Sequence, residues 1–129
     1  MTISGVVIKG KQRGKALGFP TANIPVKENV EQGIYISKTK VENNWFNSIT
    51  FIGIAKTFDD SSFQAETYLL EFSQDLYGRK IEIELIKKIR DNKKFRSTEE
   101  LIKQMNKDKK EAEVYFNSKR IKSRIITLR

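Results

Sequence analysis

Apolar and polar positions alternate most cleanly in Lys80–Ile86, where Ile81, Ile83 and Leu85 interleave with Lys80, Glu82 and Glu84. Side chains along a strand point to opposite faces in turn, so the segment predicts a half-buried strand. Ala65–Phe72 has the same period and sets Glu66, Tyr68, Leu70 and Phe72 on one face. Asp75-Leu76-Tyr77-Gly78 lies between them, with a turn-permissive glycine at its end, and predicts that the two strands pair as an antiparallel hairpin. Gly5-Val6-Val7-Ile8 is β-branched and bounded by glycines, which predicts a first strand. Gly33–Thr39 predicts another, and the Asn43-Asn44 turn signal leads it into a strand over Phe46–Ile54.

The period then changes. Ser97-Thr98-Glu99-Glu100 matches a capping box, in which the serine hydroxyl accepts from the Glu100 amide and the glutamate reaches back. Leu101, Ile102, Met105, Ala112, Tyr115 and Phe116 follow at helical spacing as one buried stripe. Short strands followed by one amphipathic helix predict a small antiparallel barrel closed or flanked by that helix. The segment Gly10–Asn23, with three glycines and a proline, fits neither period and is expected to be a long loop of the kind that carries function.

Composition narrows the chemistry. The 129 residues suffice for one hydrophobic core, and 38% hydrophobic with 32% charged residues is a globular balance. No apolar run approaches the ~18 residues of a membrane span, and Met1–Gly5 does not begin a signal peptide. Cysteine is absent, which fits a cytoplasmic location. Histidine is absent too, so imidazole bases, Ser-His triads and ordinary zinc sites are excluded within these residues. Acid–base work falls to Asp, Glu, Lys or Tyr. A net charge of +9 favours anionic partners, either nucleic acid or a polyphosphate such as ATP. Lys9, Lys11, Arg13 and Lys15 cluster early; Lys119, Arg120, Lys122, Arg124 and Arg129 form a basic tail over 118–129.

Glycines in the long loop let backbone amides approach phosphate oxygens, and its Lys and Arg side chains add positive charge, although it is not a Walker A sequence. Thr21 and Asn23 stand one residue apart after Pro20 and point the same way if the chain is extended. Their neutral oxygens suit a hard cation such as Mg²⁺ completed by phosphates; local turn capping is the other reading. Glu66 heads a face of Tyr68, Leu70 and Phe72. If that face looks into the barrel, the carboxylate sits at the rim of the interior as a general-base candidate; if not, it is an exposed strand-end glutamate.

Gly5-Val6-Val7, Gly10, Arg13-Gly14-Lys15 and Leu17-Gly18-Phe19-Pro20-Thr21-Ala22-Asn23 together resemble the opening of the riboflavin kinase family. The likeness continues through Gly33-Ile34-Tyr35, Ile52-Gly53, Thr57-Phe58, Glu66–Phe72 and Asp75–Gly78, then Ile89-Arg90, Lys93, Phe95 and Ser97, covering residues 5–116. The resemblance implies a mainly β fold, a six-stranded antiparallel Greek-key barrel with a C-terminal α-helix over 1–117. It implies that Thr21 and Asn23 hold Mg²⁺, that Gly10, Lys15 and Thr21 lie against ATP, and that Glu66 is the catalytic base. Arg90, Lys93 and Phe95 would hold the flavin; for Phe95, a place in the helix-docking core is the other reading. The implied reaction moves the γ-phosphate of ATP to riboflavin, giving FMN and ADP.

Bacterial members often fuse this module to an FMN adenylyltransferase domain with a His-x-Gly-His motif. Lacking histidine, these residues alone should not make FAD. They read as a single-domain kinase or as a module of a longer chain. Phe51, Lys56 and Asn92 depart from the family pattern and put the flavin contacts in question. Two other readings stay open: a non-enzymatic nucleic-acid-binding barrel, suggested by the basic balance, Trp45, Tyr77 and the tail, and a flavin-binding paralogue without kinase activity.

Overall fold

A computed structural model describes residues 1–8, 18–56, 61–72 and 74–127. Six strands, β1 (Thr2–Val6), β2 (Ala22–Pro25), β3 (Gly33–Val41), β4 (Asn44–Lys56), β5 (Ser61–Leu69) and β6 (Lys80–Arg90), precede one helix, α1 (Thr98–Thr127). The strands form one sheet in the order β1-β6-β3-β4-β5-β2, antiparallel throughout. Beyond β1, the Ile8 amide donates to the Asn23 carbonyl at 2.8 Å and brings the two outer strands together, so the barrel is nearly closed. Three consecutive strands, β3-β4-β5, followed by β6 returning beside β3, are a Greek key. The expected fold class is thus the observed one.

Two expectations need correction. The strands around Asp75–Gly78 do not pair with each other: β5 lies between β4 and β2, and β6 between β3 and β1. With both edges of β5 taken, the chain must carry β6 elsewhere, and residues 70–79 make that crossing. Leu76 is buried, while the Gly78 amide donates to the Val7 carbonyl and the Val7 amide to the Arg79 carbonyl, each at 2.9 Å. The second correction concerns which face of β5 looks inward. Ala65, Thr67 and Leu69 are buried in the interior, so Glu66 and Tyr68 lie on the opposite, half-buried face.

Alternation of apolar and polar residues does not single out that face, because part of the interior is polar. One region is aliphatic, with Ile3, Ile24, Ile52, Ala65, Ile81 and Ile83 essentially inaccessible. Beside it Ser37, Thr39, Ser48, Thr50 and Thr67 bury their hydroxyls completely. Ser37 pairs with Ser48 and Thr50 at 2.7 Å each, Thr39 with Ser48 at 2.8 Å, and Thr50 donates to Thr67 at 2.9 Å. Each hydroxyl can donate once and accept twice, so the five satisfy one another across β3, β4 and β5.

At the other end of β6, Lys88 ties two connections together. Its ammonium donates to Glu31 and Asp91, both at 2.6 Å, and the Tyr35 hydroxyl donates to the Glu31 carbonyl at 2.6 Å. Hydrogen bonding to Asp91 and then Glu31 holds the Lys88 ammonium above the ordinary lysine range, while the same contact holds the Asp91 carboxyl below its ordinary value.

Residues 94–129 form a unit separate from 1–93. Within it, Ser97 Oγ accepts from the Glu100 amide at 3.2 Å. The Glu100 carboxylate reaches back one residue further than the capping box predicts, to the Arg96 amide at 3.1 Å. Asp108 and Ala112 are the most buried helix positions, and half-buried Leu101, Ile102, Met105, Tyr115 and Phe116 continue the expected stripe. No glycine or proline interrupts 118–127, and the helix runs through the expected basic tail to Thr127.

Thr67→Val should leave its hydroxyl partners short of a bond and destabilise the fold by about 1–3 kcal/mol, measured by urea unfolding. The Asp91 contribution is present above its unfolded pKa of about 3.9 and fades as pH falls through the lowered folded value. An NMR titration should therefore place Asp91 below about 3.9, and Lys88→Met should return it to that range.

Candidate active site

The register of the sheet assembles the site. Asn23 on β2 lies opposite Glu66 on β5, Glu66 opposite Phe51 on β4, Phe51 opposite Ile34 on β3, and Ile34 opposite Arg90 on β6. Directly opposed residues present their side chains on the same face, so these five make a transverse row across the sheet. The row faces away from the barrel interior, with Asn23 and Ile34 buried and Glu66, Phe51 and Arg90 half-buried. Glu66 and Arg90 are three strands apart, on the order of 14 Å, so a ligand must be extended to reach both.

The segment before β2 delivers Thr21 to this row. Gly18 has φ 88° with nothing near its missing side chain, so the left-handed backbone is what demands glycine there. Phe19 is then buried edge-on against Tyr68, with ring centroids 5.4 Å apart, which anchors the segment to the outer face of β5. Pro20 restricts the next step, and the Thr21 hydroxyl donates to Glu66 Oε1 at 2.8 Å. Thr21 and Asn23 therefore converge on Glu66, one by a hydrogen bond and one by register.

This set has the chemistry a hard cation needs. The donors are a hydroxyl, an amide and a carboxylate oxygen, and a hydroxyl that donates to Glu66 keeps lone pairs for a metal. Among the described residues no cluster of three or more His, Cys, Asp or Glu exists. A cation here would be held by these oxygens and completed by phosphate. Gly10 and Lys15, expected against ATP, lie outside the described residues, as do Thr57 and Phe58.

The expected flavin residues are less tightly gathered. Arg90 ends the row and donates from Nη1 to the Asp91 carbonyl at 3.1 Å. A register shift between Ile34 and Tyr35, where β3 pairs with β6, adjoins it. Asn92 donates to the Ile52 carbonyl at 3.3 Å and to Gln32 Oε1 at 3.4 Å, which ties the strand end to β4. Lys93 is exposed, and Phe95, half-buried, belongs to the second unit. Sequence reasoning flagged Phe51 and Asn92 only as departures. Phe51 is placed by the β4–β5 register and Asn92 by its bond to the Ile52 carbonyl, and local sequence encodes neither.

Comparisons with known proteins give the family of the chain. The family model described as "Flavokinase: Riboflavin kinase" matches residues 1–116. The trifunctional protein RibF/MnmA of Mycoplasmoides gallisepticum is 42% identical over 118 residues, 89% of this chain and 18% of that protein. The bifunctional riboflavin kinase/FMN adenylyltransferase of Bacillus subtilis is 38% identical over 124 residues, 92% of this chain and 39% of that protein. The RNA-binding riboflavin kinase RibR of the same species is 39% identical over 108 residues, 82% and 47% of the two chains. The chain thus spans less than half the length of each of these relatives. Among solved structures, riboflavin kinase from Trypanosoma brucei superposes with TM-score 0.63 at 25% identity, covering 90% of this chain and 79% of that one. A macrolide-efflux protein from Streptococcus pneumoniae superposes with TM-score 0.75 at 28% identity, covering 84% and 37%. No helix among the described residues is long and apolar enough to cross a membrane. By the family match over residues 1–116 and by its barrel, the chain belongs to the riboflavin kinase family.

Proposed function

We propose that the chain is an active riboflavin kinase, transferring the γ-phosphate of ATP to the 5′-hydroxyl of riboflavin. The observation that carries this reading is the convergence of Thr21 and Asn23 on Glu66, with the Thr21 hydroxyl 2.8 Å from the carboxylate. That bond occupies part of one Glu66 oxygen and fixes its direction, leaving the carboxylate's other lone pairs to accept from a substrate hydroxyl. Glu66 orients the 5′-hydroxyl and takes its proton as the oxygen–phosphorus bond forms and the bond to ADP breaks. Mg²⁺ bound with ATP, held by the Thr21 and Asn23 oxygens, would supply neutralisation of charge on the phosphates. Gly10 backbone and Lys15 would contact the nucleotide, as the sequence pattern suggests. Arg90 and Lys93 would hold the flavin. Phosphoryl transfer depends mainly on such positioning and electrostatics.

Several relatives join this module to an FMN adenylyltransferase, and we infer the same context for this chain, in the cytoplasm. A second reading has one specific support: Trp45 is 46% exposed with the Lys40 ammonium 5.9 Å from its ring centroid, and one relative is described as RNA-binding. Single-stranded RNA on that surface would bind with steep salt dependence and be indifferent to Glu66.

Incubated with riboflavin, ATP and Mg²⁺, the purified chain should form FMN and ADP, resolved by chromatography. Glu66→Gln should lower kcat by about 10²–10⁴-fold with the fold intact. A folded wild type that forms no FMN would overturn the kinase reading, and full turnover by the Gln variant would remove Glu66 from its role.

A further inference from the structure

We propose that Phe51 determines acceptor specificity, its ring being the apolar surface on which the planar ring system of riboflavin lies. The inference rests on the kinase reading and deepens it. Phe51 stands between Glu66 and Ile34 in the transverse row, one strand from the base and two from Arg90. Its register neighbour Glu66 is about 5 Å away backbone to backbone. Riboflavin carries its ring system and its 5′-hydroxyl at opposite ends of a flexible ribityl chain. An apolar ring one strand from the base, with Arg90 beyond it, is laid out in the order such a molecule would need.

The ring is also held in advance of any ligand. A side-chain carbon on Gly53 would lie 2.6 Å from Phe51 Cζ and 2.9 Å from Cε1, so the ring occupies the space this glycine leaves open. The same point is 3.1 Å from Asn92 Nδ2, which bonds the Ile52 carbonyl at 3.3 Å. Phe51 and Asn92, two departures from the family pattern, thus meet over Gly53. The Asn92 amide lies near the same point, on the segment that leads from β6 towards Lys93. Phe51 remains half-buried, in a row whose other half-buried members, Glu66 and Arg90, are charged. A preset, partly open aromatic surface flanked by charge is the surface a planar aromatic with a polar tail would use, at little ordering cost.

The test compares wild type with Phe51→Leu and Phe51→Tyr, using riboflavin fluorescence quenching for Kd and steady-state kinetics for both substrates. Phe51→Leu keeps apolar volume and loses the planar ring. It should raise Kd and KM for riboflavin on the order of 10- to 100-fold, the scale of losing one aromatic stack. KM for ATP should stay unchanged, and Phe51→Tyr should restore wild-type riboflavin affinity. A Phe51→Leu protein that melts near wild type and binds riboflavin as tightly would overturn the proposal. So would equal rises in both KM values, which indicate general disturbance. Should Phe51→Leu fail to fold, Gly53→Ala displaces the ring without removing it, and unchanged riboflavin affinity there counts against the idea. The Kd measurement needs no turnover, so a wild type that binds riboflavin without making FMN sinks the kinase reading and leaves the role of Phe51 to be read separately.

Discussion

Four residues of β2 hold the site together through their pairing with β5. Their inward side chains, Ala22 and Ile24, pack into the interior with Ala65 and Thr67, while Asn23 is set against Glu66 on the other face. A slip of one residue would exchange the two faces, burying Asn23 in the aliphatic region and exposing Ile24. The register is held at both ends, by the Ile8 amide on the Asn23 carbonyl and by the Val26 amide on the Phe63 carbonyl. Pro25 donates nothing to the ladder, which an outer strand tolerates. Phe19 against Tyr68 then fixes the approach of Thr21. The chemistry of the site is therefore a consequence of where the side chains of Ala22 and Ile24 must go.

The interior explains why such a short strand is sufficient. Where β3, β4 and β5 cross, hydroxyls fill the barrel in place of aliphatic carbon, and no buried side-chain polar atom among the described residues lacks a partner. A satisfied polar network is directional where hydrophobic contact is not, so it fixes relative strand positions as well as filling space. Thr50 and Thr67 link β4 to β5 directly behind Phe51 and Glu66, the residues that face the opposite side. The rigid side of the sheet backs the reactive side.

Much of this was legible in the chain. The alternation in β6, the hairpin from β3 to β4 and the Ser97 cap each have a local cause, although the hairpin turn falls on Glu42-Asn43 and Asn44 already opens β4. The convergence of Thr21, Asn23 and Glu66 was legible only through a family pattern, since 45 residues separate Thr21 from Glu66. β2 overlaps the end of the Gly10–Asn23 segment expected as loop, because Pro20 and Pro25 bracket a stretch too short to show a period. Alternation alone does not tell which face of β5 looks inward, because Thr67 is polar by composition while its hydroxyl is satisfied inside. The β5–β6 hairpin was assumed from adjacency, and nothing local reveals that both edges of β5 are already engaged.

The position of β1 carries a consequence for how the chain comes to be folded. Thr2–Val6 finds its ladder on Lys80–Glu84, at the far end of the barrel sequence. Of the six strands, the first to be synthesised therefore has no ladder partner until the last has emerged, and the β3–β4–β5 meander can pair in the meantime. Closing so long a loop must precede any gain from the contact, which makes this ladder intrinsically slow to form. Until then Ile3 has no β6 ladder to shield it. The nascent chain passes through a stage with an open sheet edge and an uncovered interior, and the arrival of β6 ends it.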